Sequence, residues 1–180
     1  MAVRNILIYP DKRLRIKSES VSVSELPEIK KLVEDMAETM YTANGLGLAA
    51  PQIGVHKRVF IIDIARREER AKLMVFINPV ILEKQGKIKG EEGCLSFPEI
   101  YETIPRAEKV KVKAMNLKGE EFELEAEELL AVAIQHETDH LDGILIIDYL
   151  NPFRKKLVER KLKQWRKKQL KLKGMEKSEQ

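Results

Sequence analysis

Cysteine, histidine and tryptophan are scarce in this chain of 180 residues, which contains one cysteine, three histidines and one tryptophan. A single cysteine cannot form an internal disulfide, so the sequence gives no sign of an oxidising compartment. Long apolar runs are also missing, since no stretch approaches the ~20 apolar residues that a membrane span needs. The N-terminal segment MAVRNILIYP lacks the charged-then-apolar layout of a signal peptide. We therefore expect a soluble, cytoplasmic protein with no membrane partner.

Charge is distributed unevenly along the chain, although the net charge is only +4. Residues 151–180 contain 12 Lys or Arg against 3 Asp or Glu, whereas the first 150 residues contain 21 against 26. An acidic body with a basic tail favours a polyanionic partner for the tail. We expect no DNA partner. A solvated helix that packs one apolar stripe on the body is the alternative.

Hydrophobic periodicity predicts a helix in the first third of the chain, capped by Ser24 and ended by the Asn44-Gly45 pair. Runs rich in β-branched and apolar residues follow, and several alternate apolar with polar residues as half-buried strands do. These runs predict five strands, at 58–64, 73–82, 87–96, 109–116 and 120–127.

Two further helices are predicted in the last third of the chain. The segment 128–143 is apolar all round at its start, which is typical of a buried helix, and Gly143 ends it. Residues 144–150 favour a short strand or extended segment, and a basic helix then covers 152–173. Its apolar stripe consists of Val158, Leu162, Trp165 and Leu172. We expect the first three and last six residues to be frayed.

Three short segments contain the residues that suggest chemistry: GLGLAAPQ (45–52) in a loop, EGCLS (92–96) at a strand end, and QHETDHLDG (135–143) on a helix. His136 and His140 stand four residues apart, so a helix places both imidazoles on one face. Cys94, the only cysteine, offers a thiolate that suits zinc or ferrous iron. Three protein ligands leave one coordination position open, with Glu137 beside it as a base.

The chemistry that such a site supports is hydrolysis. A divalent ion lowers the pKa of bound water toward ~7 and so supplies hydroxide at neutral pH. Glu137 could accept the proton and later return it to a leaving amine.

Two other classes of protein are compatible with these residues. A zinc peptidase needs a third ligand after the histidine pair; His56 lies upstream, and Glu159, 19 residues beyond His140, stands in a basic helix. A ribosome- or RNA-binding module with a structural metal would need a closed four-ligand site. The sequence offers three good ligands and a free Glu137, which favours catalysis.

The three segments resemble, in the same order, the three signature motifs of the bacterial peptide deformylase family, and the resemblance extends over roughly residues 4–150. It implies an α+β fold, with mainly antiparallel sheets around a buried central helix that carries H-E-x-x-H, followed by a C-terminal helix. Residues 1–150 would form a single catalytic domain, and 151–180 a basic helix with a frayed tail.

The activity implied by this resemblance is removal of the formyl group from the initiator N-formylmethionine of nascent polypeptides, with release of formate. The implied cofactor is one divalent ion per chain, held by Cys94, His136 and His140, with Glu137 as acid and base. Family members usually hold Fe²⁺ in the cell, and Zn²⁺, Ni²⁺ or Co²⁺ can occupy the same site.

The resemblance also assigns roles to residues around the metal. The Gln52 side-chain amide and the Leu95 backbone N–H would stabilise the oxyanion. The resemblance implies that Leu46, Gly47 and Gly93 line an extended peptide, where glycines permit close approach. Helical periodicity adds Leu129, Val132 and Ala133 as candidates for contact with the methionine side chain, with Leu48 and Glu92 nearby.

Three more positions complete the sequence-based expectations. Gln135 and Asp142 are candidates for orienting the imidazoles. Tyr101 stands where many relatives carry a basic residue that helps to dock the peptide. The sequence departs from the family pattern at this position.

Overall fold

The structure is a computed structural model that describes residues 1–65 and 72–178. Within these residues the α-helices are α1 (Leu26–Thr42), α2 (Glu128–Leu141) and α3 (Pro152–Ser178). The strands are β1 (Gly47–Ala49), β2 (Val59–Ile62), β3 (Met74–Gln85), β4 (Ile88–Cys94), β5 (Phe97–Arg106), β6 (Lys109–Met115) and β7 (Glu121–Glu127). Short 3-10 helices lie at Lys12–Arg15, Val23–Glu25, Ala50–Ile53 and Ile146–Tyr149.

The strands form two antiparallel sheets, so the predicted α+β fold with antiparallel sheets and a C-terminal helix is confirmed. The larger sheet has the order β1-β2-β3-β6-β7, and the smaller one is the β4-β5 hairpin. Strands β6 and β7 pair along their whole length, from Lys109 opposite Glu127 to Met115 opposite Glu121. Their exposed face carries lysines opposite glutamates, which is why these segments alternate so regularly in the sequence.

Strand β2 is buried on both faces, because helices cover both sides of the large sheet at this point. Val59 and Ile61 pack with the apolar face of α1. Phe60 and Ile62 point the other way and pack with residues of α2. A strand covered on both sides reads as a continuous apolar run, and VFII is such a run.

A third apolar cluster joins the small sheet to the end of the chain. Ile100 and Ile104 of β5 pack there with Val158 and Leu162 of α3. Leu172 is 54% exposed, although it belongs to the predicted stripe. The stripe is therefore correct over its first turns only, because residues 170–175 around Leu172 are exposed.

Two boundaries differ from the sequence prediction. Helix α1 begins at Leu26 with Pro27 in its first turn, and Ser24 lies in the preceding 3-10 turn instead of capping it. In that turn the Ser22 backbone N–H donates to the Glu25 carboxylate at 2.9 Å. The end of α1 is as predicted, since Asn44 adopts φ +58.

Segment 144–150 was predicted to be a short strand or extended segment, which is wrong for its central residues. Residues Ile146–Tyr149 form a 3-10 helix, with Asp148 accepting the Leu145 backbone N–H at 2.9 Å and pairing with Arg15 at 2.5 Å. Ile146 and Ile147 are both buried within the turn. Apolar burial therefore produced the strand-like pattern without a strand.

The first glycine-rich segment was predicted to be a loop, which is also wrong. Gly47–Ala49 forms β1, which pairs with β2, and Ala50–Ile53 forms a 3-10 helix. Strand β5, which contains Pro98 and Pro105, was not among the predicted strands. None of the helices in the described residues is both long enough and apolar enough to cross a membrane.

Candidate active site

Three side chains that could hold a metal ion meet where the end of β4 faces α2. Cys94 is the last residue of β4, and His136 and His140 lie one turn apart on α2. One donor atom from each residue lies within 4.8 Å of the other two. Cys94 Sγ and His140 Nε2 are 3.4 Å apart. The sequence-predicted trio is thus assembled from two distant parts of the chain.

The geometry of these donors fits a divalent transition metal. In a tetrahedral zinc site with bonds of ~2.3 Å to sulfur and ~2.0–2.1 Å to nitrogen, the sulfur and the nitrogen lie ~3.6 Å apart. The 3.4 Å between Cys94 Sγ and His140 Nε2 is close to this separation. The Nδ1 atom of His136 is 2.9 Å from Glu92 Oε1, which leaves its Nε2 for a metal. In the described part of the chain four buried side-chain polar atoms have no hydrogen-bond partner, and two of them belong to this cluster, His140 Nδ1 and Glu137 Oε2. The residues therefore fit one ion.

Glu137 is the buried carboxylate beside these donors. Its Oε1 lies 3.7 Å from His136 Nε2, and the residue is 4% exposed. Burial raises the pKa of this carboxyl to about 7, because the charged form loses hydration. A carboxyl whose pKa lies near neutrality can accept and return a proton.

Gln52 is held rigidly on the other side of Cys94. Its Oε1 accepts the Ala49 backbone N–H at 2.9 Å, and its Nε2 donates to Ser96 Oγ at 3.1 Å. The same Nε2 is 3.6 Å from Cys94 Sγ. These contacts fix the orientation of the Gln52 amide, so its N–H groups face Cys94 and the two histidines. Leu95, whose backbone N–H was the second predicted oxyanion donor, lines a cavity beside these residues.

A cavity of about 540 Å³ opens beside this cluster. Most of the predicted substrate-contacting residues line it, namely Leu46, Gly47, Glu92, Gly93, Leu129, Val132 and Ala133. Leu48 is fully buried in the core with α1 and is not among the lining residues. Leu129 is 52% exposed, so the start of α2 is not buried all round as predicted. Leu129, Val132 and Ala133 line the cavity, whereas Leu130 and Ala131 pack in the core with β2.

Two of the lining glycines stand where a side chain would collide with the site. A Cβ at Gly47 would lie 3.2 Å from the Glu137 side chain. A Cβ at Gly93 would lie 2.8 Å from the ring of Tyr101, which pairs with it across β4 and β5. The backbone can therefore approach the cavity closely at both positions.

Charged residues behind the cluster form a network that the sequence did not reveal. Arg106, at the end of β5, donates two hydrogen bonds to Glu92 at 2.9 and 3.0 Å. Its third nitrogen donates to Asp139 at 2.7 Å, and Tyr149 donates to the same carboxylate at 2.6 Å. Burial acts to raise the pKa of Glu92, but its bonds to His136 and Arg106 outweigh burial and keep that pKa below its ordinary value.

The two residues that were expected to orient the imidazoles form hydrogen bonds and ion pairs with other residues. Gln135 bonds to the backbone of Ala107 at 2.9 Å through both ends of its amide. Asp142 pairs with Arg58 at 3.0 Å. Glu92, which was predicted to lie near the peptide, is the residue bonded to His136. His56 lies between the 3-10 helix Ala50–Ile53 and β2, with its Nε2 2.9 Å from the Arg13 carbonyl oxygen.

Donors for one ion, next to a carboxyl that can exchange a proton at neutral pH, place the chain in the class of metal-dependent hydrolases. Its family follows from the match of residues 3–156 to the polypeptide deformylase family. The chain belongs to that family and is an enzyme of that type.

Individual relatives agree with this assignment. The chain is 51% identical over 163 residues to the peptide deformylase of Neisseria meningitidis serogroup B. The aligned region covers 91% of this chain and 96% of that protein. It is 48% identical over 162 residues to the peptide deformylase of Alkalilimnicola ehrlichii, 90% of each chain.

Solved structures of the family are similar as well. The crystal structure of a peptide deformylase from Legionella pneumophila superposes with a TM-score of 0.88 at 44% identity, covering 94% of this chain and 98% of that one. A peptide deformylase from Ehrlichia chaffeensis in complex with actinonin gives 0.84 at 39% identity, with coverage of 91% and 98%.

Proposed function

We propose that this enzyme removes the formyl group from the N-formylmethionine of nascent polypeptides and releases formate. One observation carries the proposal: the unpartnered Oε2 of Glu137 is buried beside the Cys94, His136 and His140 donors, in a cavity open to solvent. The cytoplasm, where nascent chains emerge, is the proposed location. The helix that carries these histidines, α2, is proposed as the buried central support of the site.

The proposed cofactor is one divalent ion per chain, held by Cys94, His136 and His140. Fe²⁺ is the proposed native ion, and Zn²⁺, Ni²⁺ or Co²⁺ would fit the same soft and borderline donors. When bound, such an ion polarises a water molecule and lowers its pKa toward ~7.

Glu137 is the proposed acid and base. As a carboxylate it takes a proton from the attacking water, and its unpartnered Oε2 is free to do so. It then returns the proton to the methionyl nitrogen, because an amine is a poor leaving group without it. A pKa of about 7 suits both steps.

Gln52 is proposed to stabilise the negative charge on the former formyl oxygen, together with the backbone N–H of Leu95. The support for Gln52 is its fixed orientation: with Oε1 committed to Ala49, its Nε2 is the end that faces the Cys94 sulfur. A donor held in place before the reaction loses little free energy to reorganisation.

The proposed substrate lies extended along Leu46, Gly47 and Gly93, where two glycines leave the backbone accessible. The methionine side chain would enter the apolar part of the cavity formed by Leu129, Val132 and Ala133. Leu48 would support that region from the core, and Glu92 would hold His136 in place.

Residues 1–150 are proposed as the catalytic domain and 151–180 as a basic helix and tail. Arg154 pairs with Glu102 at 2.6 Å, and Arg166 donates to the Tyr9 carbonyl oxygen, so both help to anchor α3 to the body. We propose that the remaining basic residues of α3 contact ribosomal phosphates. Binding to ribosomes should weaken steeply with salt and should be lost after deletion of residues 154–180. Salt-insensitive binding would contradict this role.

The function is tested by formate release from a short N-formylmethionyl peptide under anaerobic conditions. Wild type should release formate, and Glu137→Ala at equal metal content should lose ~10²–10⁴-fold in rate. Glu121→Ala, a matched change on the exposed face of β7, should match wild type. Cleavage of the peptide bond without formate would favour a metalloprotease, and no hydrolysis at all would favour a structural metal site.

A further inference from the structure

An unbroken series of hydrogen bonds runs from the surface to the metal-binding imidazole of His136. Tyr149 donates to Asp139 at 2.6 Å, and Arg106 donates to the same oxygen at 2.7 Å. Arg106 holds both oxygens of Glu92, and Glu92 is bonded to His136 Nδ1 at 2.9 Å. The series begins at the 3-10 helix Ile146–Tyr149, outside the cavity.

Arg106 is the centre of this series, and it is held on three sides. Its side chain is 4% exposed, so its guanidinium depends on protein partners for its position. Glu92 takes two of its nitrogens and Asp139 takes the third. The Tyr149 ring covers the guanidinium, with 4.9 Å between Arg106 Cζ and the ring centroid.

We infer that Tyr149 is a positioning residue for the metal centre, which acts through Asp139 and Arg106 to hold Glu92 against His136. The inference rests on the metal centre proposed above. The Tyr149 hydroxyl is bonded to Asp139 and lies 3.3 Å from Arg106, and neither of these residues is a metal donor. Tyr149 therefore acts on the ligand geometry through other residues and does not itself touch the substrate.

The physical reason is the limited freedom of His136. Glu92 selects the tautomer that presents Nε2 to the metal, and it sets the angle of the ring. Glu92 can do this only while Arg106 fixes the orientation of its carboxylate. Removal of the Tyr149 hydroxyl leaves Asp139 with one donor fewer and frees the third nitrogen of Arg106 to shift. The consequence is a looser His136 and faster loss of the ion.

The test compares Tyr149→Phe with wild type, both loaded with Co²⁺. The rate of cobalt loss to an excess of chelator is measured, and the visible spectrum of the bound cobalt reports ligand geometry. Tyr149→Phe should lose cobalt about tenfold faster, near the lower limit for partners of metal ligands, and its spectrum should change. Phenylalanine keeps the ring over Arg106, and Tyr149 is partly exposed, so the variant should fold.

Tyr41→Phe is the matched control. Tyr41 also donates to a carboxylate at 2.6 Å, that of Asp63, and its pKa is likewise raised to about 12 by burial and that bond. It should retain cobalt as wild type does. Equal rates in Tyr149→Phe and wild type, or equal acceleration in both variants, would overturn the inference. A wild type that binds no cobalt would overturn the metal centre itself, and this role of Tyr149 with it.

Discussion

Replacement of Glu92 by glutamine should destabilise the metal-free protein strongly, although the side chain keeps its size. The Glu92 carboxylate receives two hydrogen bonds from Arg106 and one from His136. In Glu92→Gln one oxygen becomes an NH₂ group, which cannot accept the Arg106 donor that it faces. Both residues are buried, so water cannot replace the lost contact.

The size of this effect follows from the contacts. Loss of a hydrogen bond between charged groups costs about 1.5–3 kcal/mol, and removal of one partner of a buried ion pair costs about 3–5 kcal/mol. Asp139 still pairs with Arg106, so we expect about 3 kcal/mol, at the lower end of the second range. At about 2–4 °C per kcal/mol for a chain of this length, the melting temperature should fall by about 6–12 °C.

The assay is urea denaturation of metal-free protein, so that metal loss does not contribute to the difference. Glu123→Gln is the control, since Glu123 pairs with Lys111 at 3.5 Å on the exposed face of β7. That change should cost less than about 0.5 kcal/mol. If the two variants had the same free energy of unfolding, the buried network would contribute nothing and the reasoning would be refuted.

Three other substitutions test separate parts of the account. Gly47→Ala should lower kcat/KM about 10–100-fold, because its Cβ would lie 3.2 Å from the Glu137 carboxylate. Gly90→Ala, whose Cβ would have no atom within 4 Å, should leave activity unchanged. Leu162→Ala should cost about 2–5 kcal/mol in urea denaturation, and exposed Leu172→Ala less than about 0.5 kcal/mol. Asp148→Asn should cost about 1 kcal/mol at pH 7, measured in the same way.

The last of these effects depends on pH with a defined sign. Burial acts to raise the pKa of Asp148, but Arg15 and the Leu145 N–H outweigh it and hold the pKa below 3.8. The stability that the carboxylate contributes is present above pH 3.8 and is lost as pH falls through the lower folded-state pKa. The difference from Asp148→Asn should shrink below about pH 4. A stability difference that grew on acidification would contradict the pairing of Asp148 with Arg15. For the glycine variants, equal activity of Gly47→Ala and Gly90→Ala would contradict the close approach at Gly47.

The fold was predictable where one local pattern had one structural meaning. The alternation in KVKVKAM and EFELEAE produced β6 and β7, and the apolar run VFII produced a strand covered on both faces. Strand β5 was missed because two of its buried alternate positions are the charged residues Glu102 and Arg106, so its sequence shows no apolar alternation. The 3-10 helix at Ile146–Tyr149 was missed because an Asp148 cap and burial, not periodicity, define it.

The metal donors were predictable because metal chemistry limits which residue types can serve. Cys94, His136 and His140 are rare residues in a distinctive spacing, and the structure brings them together. Arg106 and Tyr149 are common residue types that reach the site from β5 and from the turn after α2. Their roles depend on long-range packing, which no local pattern encodes. The same reason explains why Gln135 and Asp142, close to the ligands in sequence, bond elsewhere.

We propose that one ion, held by Cys94, His136 and His140, supports hydrolysis of the formyl group. The most direct measurement is an anaerobic titration of metal-free protein with Fe²⁺ while formate release from an N-formylmethionyl peptide is recorded. Activity should rise from the metal-free baseline and reach its plateau at one equivalent of Fe²⁺ per chain. Full activity in the metal-free protein, or a plateau that requires two equivalents, would contradict the account.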